Sequence, residues 1–167
     1  MHEKKRNRLY FRVAFLLICS MSSGKQDCGF MGERIKKIFR QSGVIPVMDN
    51  RLVLITSRKT NRWTIPKGYV EKGLSAAESA AKEAYEEAGL IGVVHHEEAG
   101  AYRYSKFGKL FSVQVFPLYI ETLLDDWDEM HVRQRKIVSP LEAFDLLYHD
   151  QLKDVIAGYF GIKRNGR

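Results

Sequence analysis

Cysteine is nearly absent: the chain has two, Cys19 and Cys28, both within its first thirty residues. A single disulfide there would sit outside any core and constrain little, and two thiols without neighbouring histidines do not make a zinc site. A disulfide scaffold and a structural zinc domain are therefore excluded, and a reducing compartment is the expected setting. Long apolar runs are lacking as well. The stretch 13–19 is uninterrupted for seven residues, far short of the roughly twenty that a membrane-spanning helix needs. There are no internal repeats and no low-complexity tracts. Nor does the body of the chain carry a charge excess: from residue 41 onward Lys/Arg and Asp/Glu balance at seventeen each, while residues 1–40 hold ten cations against three acids. The formal charge of +7 thus belongs to the N-terminal segment and says little about the rest.

What is present divides accordingly. Residues 1–30 form a basic extension: Lys4, Lys5, Arg6 and Arg8 precede an apolar stretch and then the small residues of 20–24. That outline fits either a poorly ordered extension, with Met31 opening the domain proper, or a weak signal-like segment. A cytoplasmic location goes with the first reading and export with the second. The extension could also contact nucleic acid or an anionic membrane, which nothing else in the chain indicates. With 45% apolar residues over 167 positions, the remainder, about residues 40–162, suffices for one domain with a real core.

Along that body, residues 43–48 and 51–56 are β-rich runs separated by Asp49-Asn50, the signature of a hairpin. A polar loop over 57–62 carries Arg58, Lys59 and Arg62 and leads to Trp63, which suits core packing, and then to a glycine-containing loop. Strands are predicted over 91–97, 99–104, 110–121 and 132–138, with an acidic loop at 123–130. Ser139-Pro140-Leu141-Glu142 is a capping box with proline at the first helical position, and Leu152, Val155, Ile156, Tyr159 and Phe160 recur at helical spacing. His95 and His96, adjacent on a strand, point to opposite faces; His131 and His149 have no motif partner.

The chain is organised around residues 63–90, WTIPKGYVEKGLSAAESAAKEAYEEAGL. Ser75-Ala76-Ala77-Glu78 is a capping box, Gly89 stands where a left-handed C-terminal cap is wanted, and good helix formers lie between. Ala76, Ala77, Ala80, Ala81, Ala84 and Ala88 supply a face able to lie close to a sheet. Glu83, Glu86 and Glu87, at i, i+3 and i+4, put three carboxylates on another side within one turn. Such a triplet repels itself and opposes the helix dipole, so it costs stability unless a cation sits among its members. Two readings are open: a hard divalent cation such as Mg²⁺, or a solvated acidic face laced by Lys82.

Residues 68–90 resemble the Nudix box, G, five residues, E, seven residues, then R-E-U-x-E-E-x-G-U with U apolar. Gly68 supplies the first glycine and residues 82–90, KEAYEEAGL, the terminal run; Leu74 stands where the first glutamate belongs and Lys82 where the arginine belongs. More weakly, WTIPKG ahead of the box and Trp127-x-Glu129-x-x-x-Arg133-x-Arg135 after it look like the diphosphoinositol-polyphosphate and dinucleoside-polyphosphate branch. The resemblance implies an α/β (α+β) fold, a mixed β-sheet sandwiched between α-helices, and a pyrophosphohydrolase acting on a nucleoside diphosphate linked to another group, a dinucleoside polyphosphate or a diphosphoinositol polyphosphate. It implies that Glu83, Glu86 and Glu87 hold Mg²⁺ or Mn²⁺, with a backbone carbonyl near Lys67 or Gly68 as a further ligand, that Lys82 braces the cluster, and that Arg58, Arg62, Lys67, Arg133 and Arg135 contact a phosphorylated small-molecule substrate. Leu74 leaves a carboxylate to be found elsewhere, and Glu71, Glu98 and Glu129 are the candidates. A binding module without hydrolysis is the alternative that Leu74 and Lys82 raise.

Overall fold

The computed structural model describes residues 37–163; the basic extension over 1–30, with both cysteines, lies outside them. β1 (Ile38–Met48) forms the axis of an eight-stranded mixed sheet. It turns through Asp49 and Asn50, both at positive φ (50° and 57°), into antiparallel β2 (Arg51–Thr56). Two left-handed central residues are what a twist-matched two-residue hairpin requires, and Asp-Asn tolerates them. β3 (Trp63–Thr64) extends the β2 edge, and β4 (Lys67–Tyr69) pairs with β1 over Gln41–Gly43. These two short strands replace the predicted continuous loop; pieces of two and three residues are too short to show a period-two pattern.

After helix α1 (Ala76–Ala88) come β5 (Leu90–Val94), β6 (Gly100–Lys106) and β7 (Lys109–Leu123). β7 runs parallel to β1 through ten residue pairs, from Ile38 opposite Leu110 to Val47 opposite Tyr119, and carries β6 and β5 antiparallel on successive halves. β8 (Arg135–Val138) closes on β2. The strand predicted from 132 thus begins at Arg135, and Val132 and Arg133 belong to the preceding loop. α2 (Pro140–Leu146) and α3 (Asp150–Phe160) complete the chain, and the predicted capping box at Ser139/Glu142 is formed.

Alternation along the central strands builds two cores. Val44, Val53, Ile55, Phe116 and Leu118 face the alanines of α1 on one side of the sheet. Ile45, Leu52, Leu54, Val113 and Val115 face Ala143 of α2, Leu147 just beyond its end, and Leu152 and Ile156 of α3, on the other. The expected sandwich is the observed architecture, with the box helix on one face and the C-terminal helices on the opposite one.

Candidate active site

Local chemistry fixes α1 firmly. The Ser75 side chain accepts from the Glu78 N–H while the Glu78 carboxylate accepts from the Ser75 N–H, and Gly89 adopts the left-handed conformation (φ 62°) that ends the helix. Ala77, Ala80, Ala84 and Ala88 are buried against the sheet. With no long side chain holding helix and sheet apart, the flank bearing Glu83 and Glu87 is drawn against β4.

The approach is closest at Gly68. A Cβ built there would lie 1.6 Å from Glu83 Oε1, so only glycine leaves room for that carboxylate. Glu83 titrates at about 7, raised first by burial and then by Glu87 and Glu86. Glu87 is 7% exposed. Its Oε2 accepts from the Lys67 N–H at 2.9 Å and its Oε1 is paired with Arg133 Nη2. Burial still outweighs these two partners and holds the Glu87 carboxyl above its usual range. Glu86, at the outer edge, is 3.2 Å from Lys82 Nζ, which also donates to Glu71 at 2.6 Å.

The three carboxylates are thus neighbours with different partners. Arg133 and Lys82 answer the repulsion read from the spacing at Glu87 and Glu86, whereas Glu83 makes no ion pair with a described residue. Among the described residues, no three His, Cys, Asp or Glu side chains stand close enough to enclose a metal ion as they are; Glu87 is held by Arg133 and the Lys67 N–H, and Glu86 by Lys82. The donor set nevertheless fits a divalent cation. It offers hard oxygens, Glu83 is left uncompensated beside two other acids, and each engaged carboxylate oxygen keeps a further lone pair.

The remaining sequence-derived residues separate into groups. Arg133 is no free phosphate ligand: its side chain is 9% exposed, and its Nη1 donates to the Thr56 carbonyl at 2.8 Å and its Nε to Glu129 at 2.5 Å. Glu129 is paired in turn with Arg58. Arg58, Glu129, Arg133 and Glu87 therefore form one chain of charges ending at the helix. Arg135 lies elsewhere, donating to the Ala88 carbonyl at 2.7 Å with its guanidinium 4.3 Å from the Trp127 ring centre, where it satisfies the C-terminal end of α1. Of the three candidate replacement acids, Glu71 holds Lys82, Glu129 holds Arg58 and Arg133, and Glu98 accepts from Gln114. Leu74 is 37% exposed in the turn before the helix rather than packed on the alanines.

Arg62 and Lys67 open instead onto a cleft of about 340 Å³ beside the acidic flank. Its walls come from the β2–β3 loop (Ser57, Thr60, Arg62), from β3 and β4 (Trp63, Thr64, Lys67), from the end of β6 (Tyr104, Ser105, Lys106) and from the α2–α3 junction (Tyr148, His149). Burial is the main force lowering the Lys67 ammonium and the His149 imidazole, and neighbouring cations add to it in both. Sequence reasoning missed Lys106 and His149. One signal was available: residues 99–120 contain Arg103, Lys106 and Lys109 and no acid at all.

Comparison with known proteins accords with this geometry. The family model described as NUDIX domain matches residues 38–158. Nudix hydrolase 17, mitochondrial, from Arabidopsis thaliana is 36% identical over 93 residues, 55% of this chain and 51% of its own length; the chain spans about half the length of that relative. Among solved structures, an Ap4A hydrolase binary complex from C. elegans superposes with a TM-score of 0.61 at 19% identity, covering 74% of this chain and 96% of that one. A NUDIX hydrolase from Nitrosomonas europaea gives 0.65 at 16%, covering 75% and 90%. At such identities these two structures speak for the fold.

Proposed function

Since the chain belongs to the NUDIX domain family, we propose that it hydrolyses a pyrophosphate linkage in a phosphorylated small molecule, with Mg²⁺ or Mn²⁺ held at the acidic flank of α1 by Glu83, Glu86 and Glu87. The observation that carries this reading is Glu83: its carboxylate is pressed onto Gly68 between two other acids, makes no ion pair with a described residue, and titrates at about 7. A fold does not keep an uncompensated carboxylate there for stability's sake. A bound divalent ion would supply neutralisation of the phosphoryl oxygens and acidification of water.

The chain's own groups have separable tasks. Glu83, pressed onto Gly68 with no ion pair to a described residue, is the carboxylate with most to gain from the ion. Arg133 and the Lys67 N–H fix the Glu87 carboxylate from two sides, so the guanidinium that the box lacks at Lys82 is supplied from the loop before β8. Lys82 tethers Glu86 to Glu71, a bracing role by point charge rather than by a bidentate fork. Arg62 and Lys67 face the cleft and suit substrate anions; Arg58 and Arg135 are committed to Glu129 and to the end of α1.

Phosphate release from dinucleoside polyphosphates, diphosphoinositol polyphosphates and nucleoside-diphosphate conjugates, with Mg²⁺ and with chelator, tests the proposal. Metal-dependent release from at least one class is expected. Binding of these compounds without release from any would instead make the chain a recognition module.

A further inference from the structure

The turn joining β6 to β7 carries a residue that the turn itself does not favour. Phe107 and Gly108 both sit at positive φ (49° and 70°) between the paired Lys106 and Lys109, a two-residue hairpin loop of the kind that selects Asn-Gly or Asp-Gly. The hairpin between β1 and β2 meets the same demand with Asp49-Asn50. A bulky ring in the left-handed region is strained, and Phe107 gains no burial in exchange, being 84% exposed.

The cations beside it are equally uncompensated. Lys106 and Lys109 stand directly opposite each other across the ladder, an arrangement that destabilises like charges. The strand residues that build this end of the sheet, 37–42 and 102–112, hold Lys37, Arg40, Arg103, Lys106 and Lys109 and no acid. Lys37, Arg40, Lys106 and Lys109 make no ion pair with a described residue. Lys106 Nζ lies 5.7 Å from the Phe107 ring centre, and Lys37 Nζ and Lys109 Nζ lie 5.5 and 5.1 Å from that of Phe39. Ile38 and Tyr69, both exposed, add apolar surface at the same end, Ile38 opposite Leu110 and the Tyr69 ring 6.3 Å from Phe111.

An exposed apolar tip ringed by cations has the chemistry of a peripheral membrane contact. Apolar side chains gain by entering the boundary between headgroups and acyl chains, and cations by meeting anionic headgroups. Single-stranded nucleic acid also calls for cations and rings, but for rings whose faces are free to stack on bases. Phe39, Phe111 and Tyr104 instead pack against one another, with centroids 5.4 and 4.9 Å apart, and Phe107 projects alone from the turn.

We propose that this end of the sheet docks on an anionic phospholipid surface: Phe107 enters the boundary between headgroups and acyl chains, and Lys37, Arg40, Lys106 and Lys109 face the lipid phosphates. Phe107 and Lys109 line neither the cleft nor the acidic flank of α1, and the inference does not depend on the hydrolase reading.

Co-sedimentation of the full chain with phosphatidylcholine vesicles, with and without phosphatidylserine, tests it. Binding is expected only where phosphatidylserine is present and should weaken as salt is raised. Phe107→Asn supplies a residue that the turn prefers, so its thermal midpoint should equal or exceed the native one while its vesicle affinity falls by about tenfold. Lys37→Gln and Lys109→Gln should each lower the affinity by about fivefold, and Lys136→Gln, an exposed cation on β8, by less than about twofold. No binding to phosphatidylserine vesicles, unchanged binding in Phe107→Asn, or equal losses in Lys136→Gln and Lys109→Gln overturns the proposal. So does binding of a single-stranded RNA oligonucleotide without binding to either vesicle, which would make these cations a nucleic-acid contact.

Discussion

Replacing Arg133 by methionine removes the guanidinium from Glu87 while keeping most of the apolar stem. Glu87, 7% exposed, would be left with one neutral donor, the Lys67 N–H at 2.9 Å. Removing one partner of a buried ion pair costs about 3–5 kcal/mol. Glu129 keeps Arg58 and Glu87 can take up a proton, so about 3 kcal/mol is expected at pH 8. The loss should depend on pH in a definite direction. Burial already holds the Glu87 carboxyl above its ordinary value of 4.5 against the pull of Arg133, and without Arg133 it must rise further. A raised carboxyl costs nothing while it is protonated in both folded and unfolded chains. Its penalty appears above the unfolded pKa and grows until the folded pKa is passed. Near pH 4.5 the loss should therefore shrink towards that of neutral hydrogen bonds, about 1 kcal/mol. In urea denaturation of metal-free protein, where m is about 2 kcal/mol/M, the midpoint should fall by about 1.5 M at pH 8 and by about 0.5 M at pH 4.5. Equal losses at the two pH values, or none at pH 8, would refute the pairing argument.

Glu83→Gln should do the opposite to stability: with the carboxyl titrating at about 7, the charge burdens the metal-free fold increasingly from about pH 4.5 to 7. After allowance for its half-exposed position, the variant should gain about 1–2 kcal/mol at pH 8 and nothing below the unfolded pKa, by the same denaturation assay. Gly68→Ala should weaken Mg²⁺ binding and lower turnover together, since the added methyl would collide with the Glu83 carboxylate; near-normal values of both would show that the close approach is immaterial. Removal of residues 1–30 should leave a cooperative thermal transition and the activity intact, and loss of either would make the extension part of the working domain.

The legible parts of this chain are the local ones. The capping box at Ser75, the left-handed Gly89, the alanine face and the Asp49-Asn50 turn all depend on residues within a few positions of each other, and each is found as read. The spacing of Glu83, Glu86 and Glu87 also foretold a repulsive cluster correctly, but not how it is relieved. Arg133 reaches Glu87 from 46 positions away and Lys106 enters the cleft from another hairpin, and no periodicity reports such meetings. Arg133 and Arg135, two residues apart in one motif, looked alike in the sequence. Arg133, in the loop before β8, reaches the acidic flank, and Arg135, the first residue of β8, reaches the helix end.

The central claim, that the flank of α1 bearing Glu83 is where a pyrophosphate bond is cleaved, is tested most directly by turnover of Glu83→Gln at saturating Mg²⁺, on a substrate the native protein hydrolyses and with folding verified by denaturation. The account predicts a fall of about 10²-fold or more, because a neutral amide replaces a charged ligand of the ion. Turnover within about twofold of the native protein would contradict it.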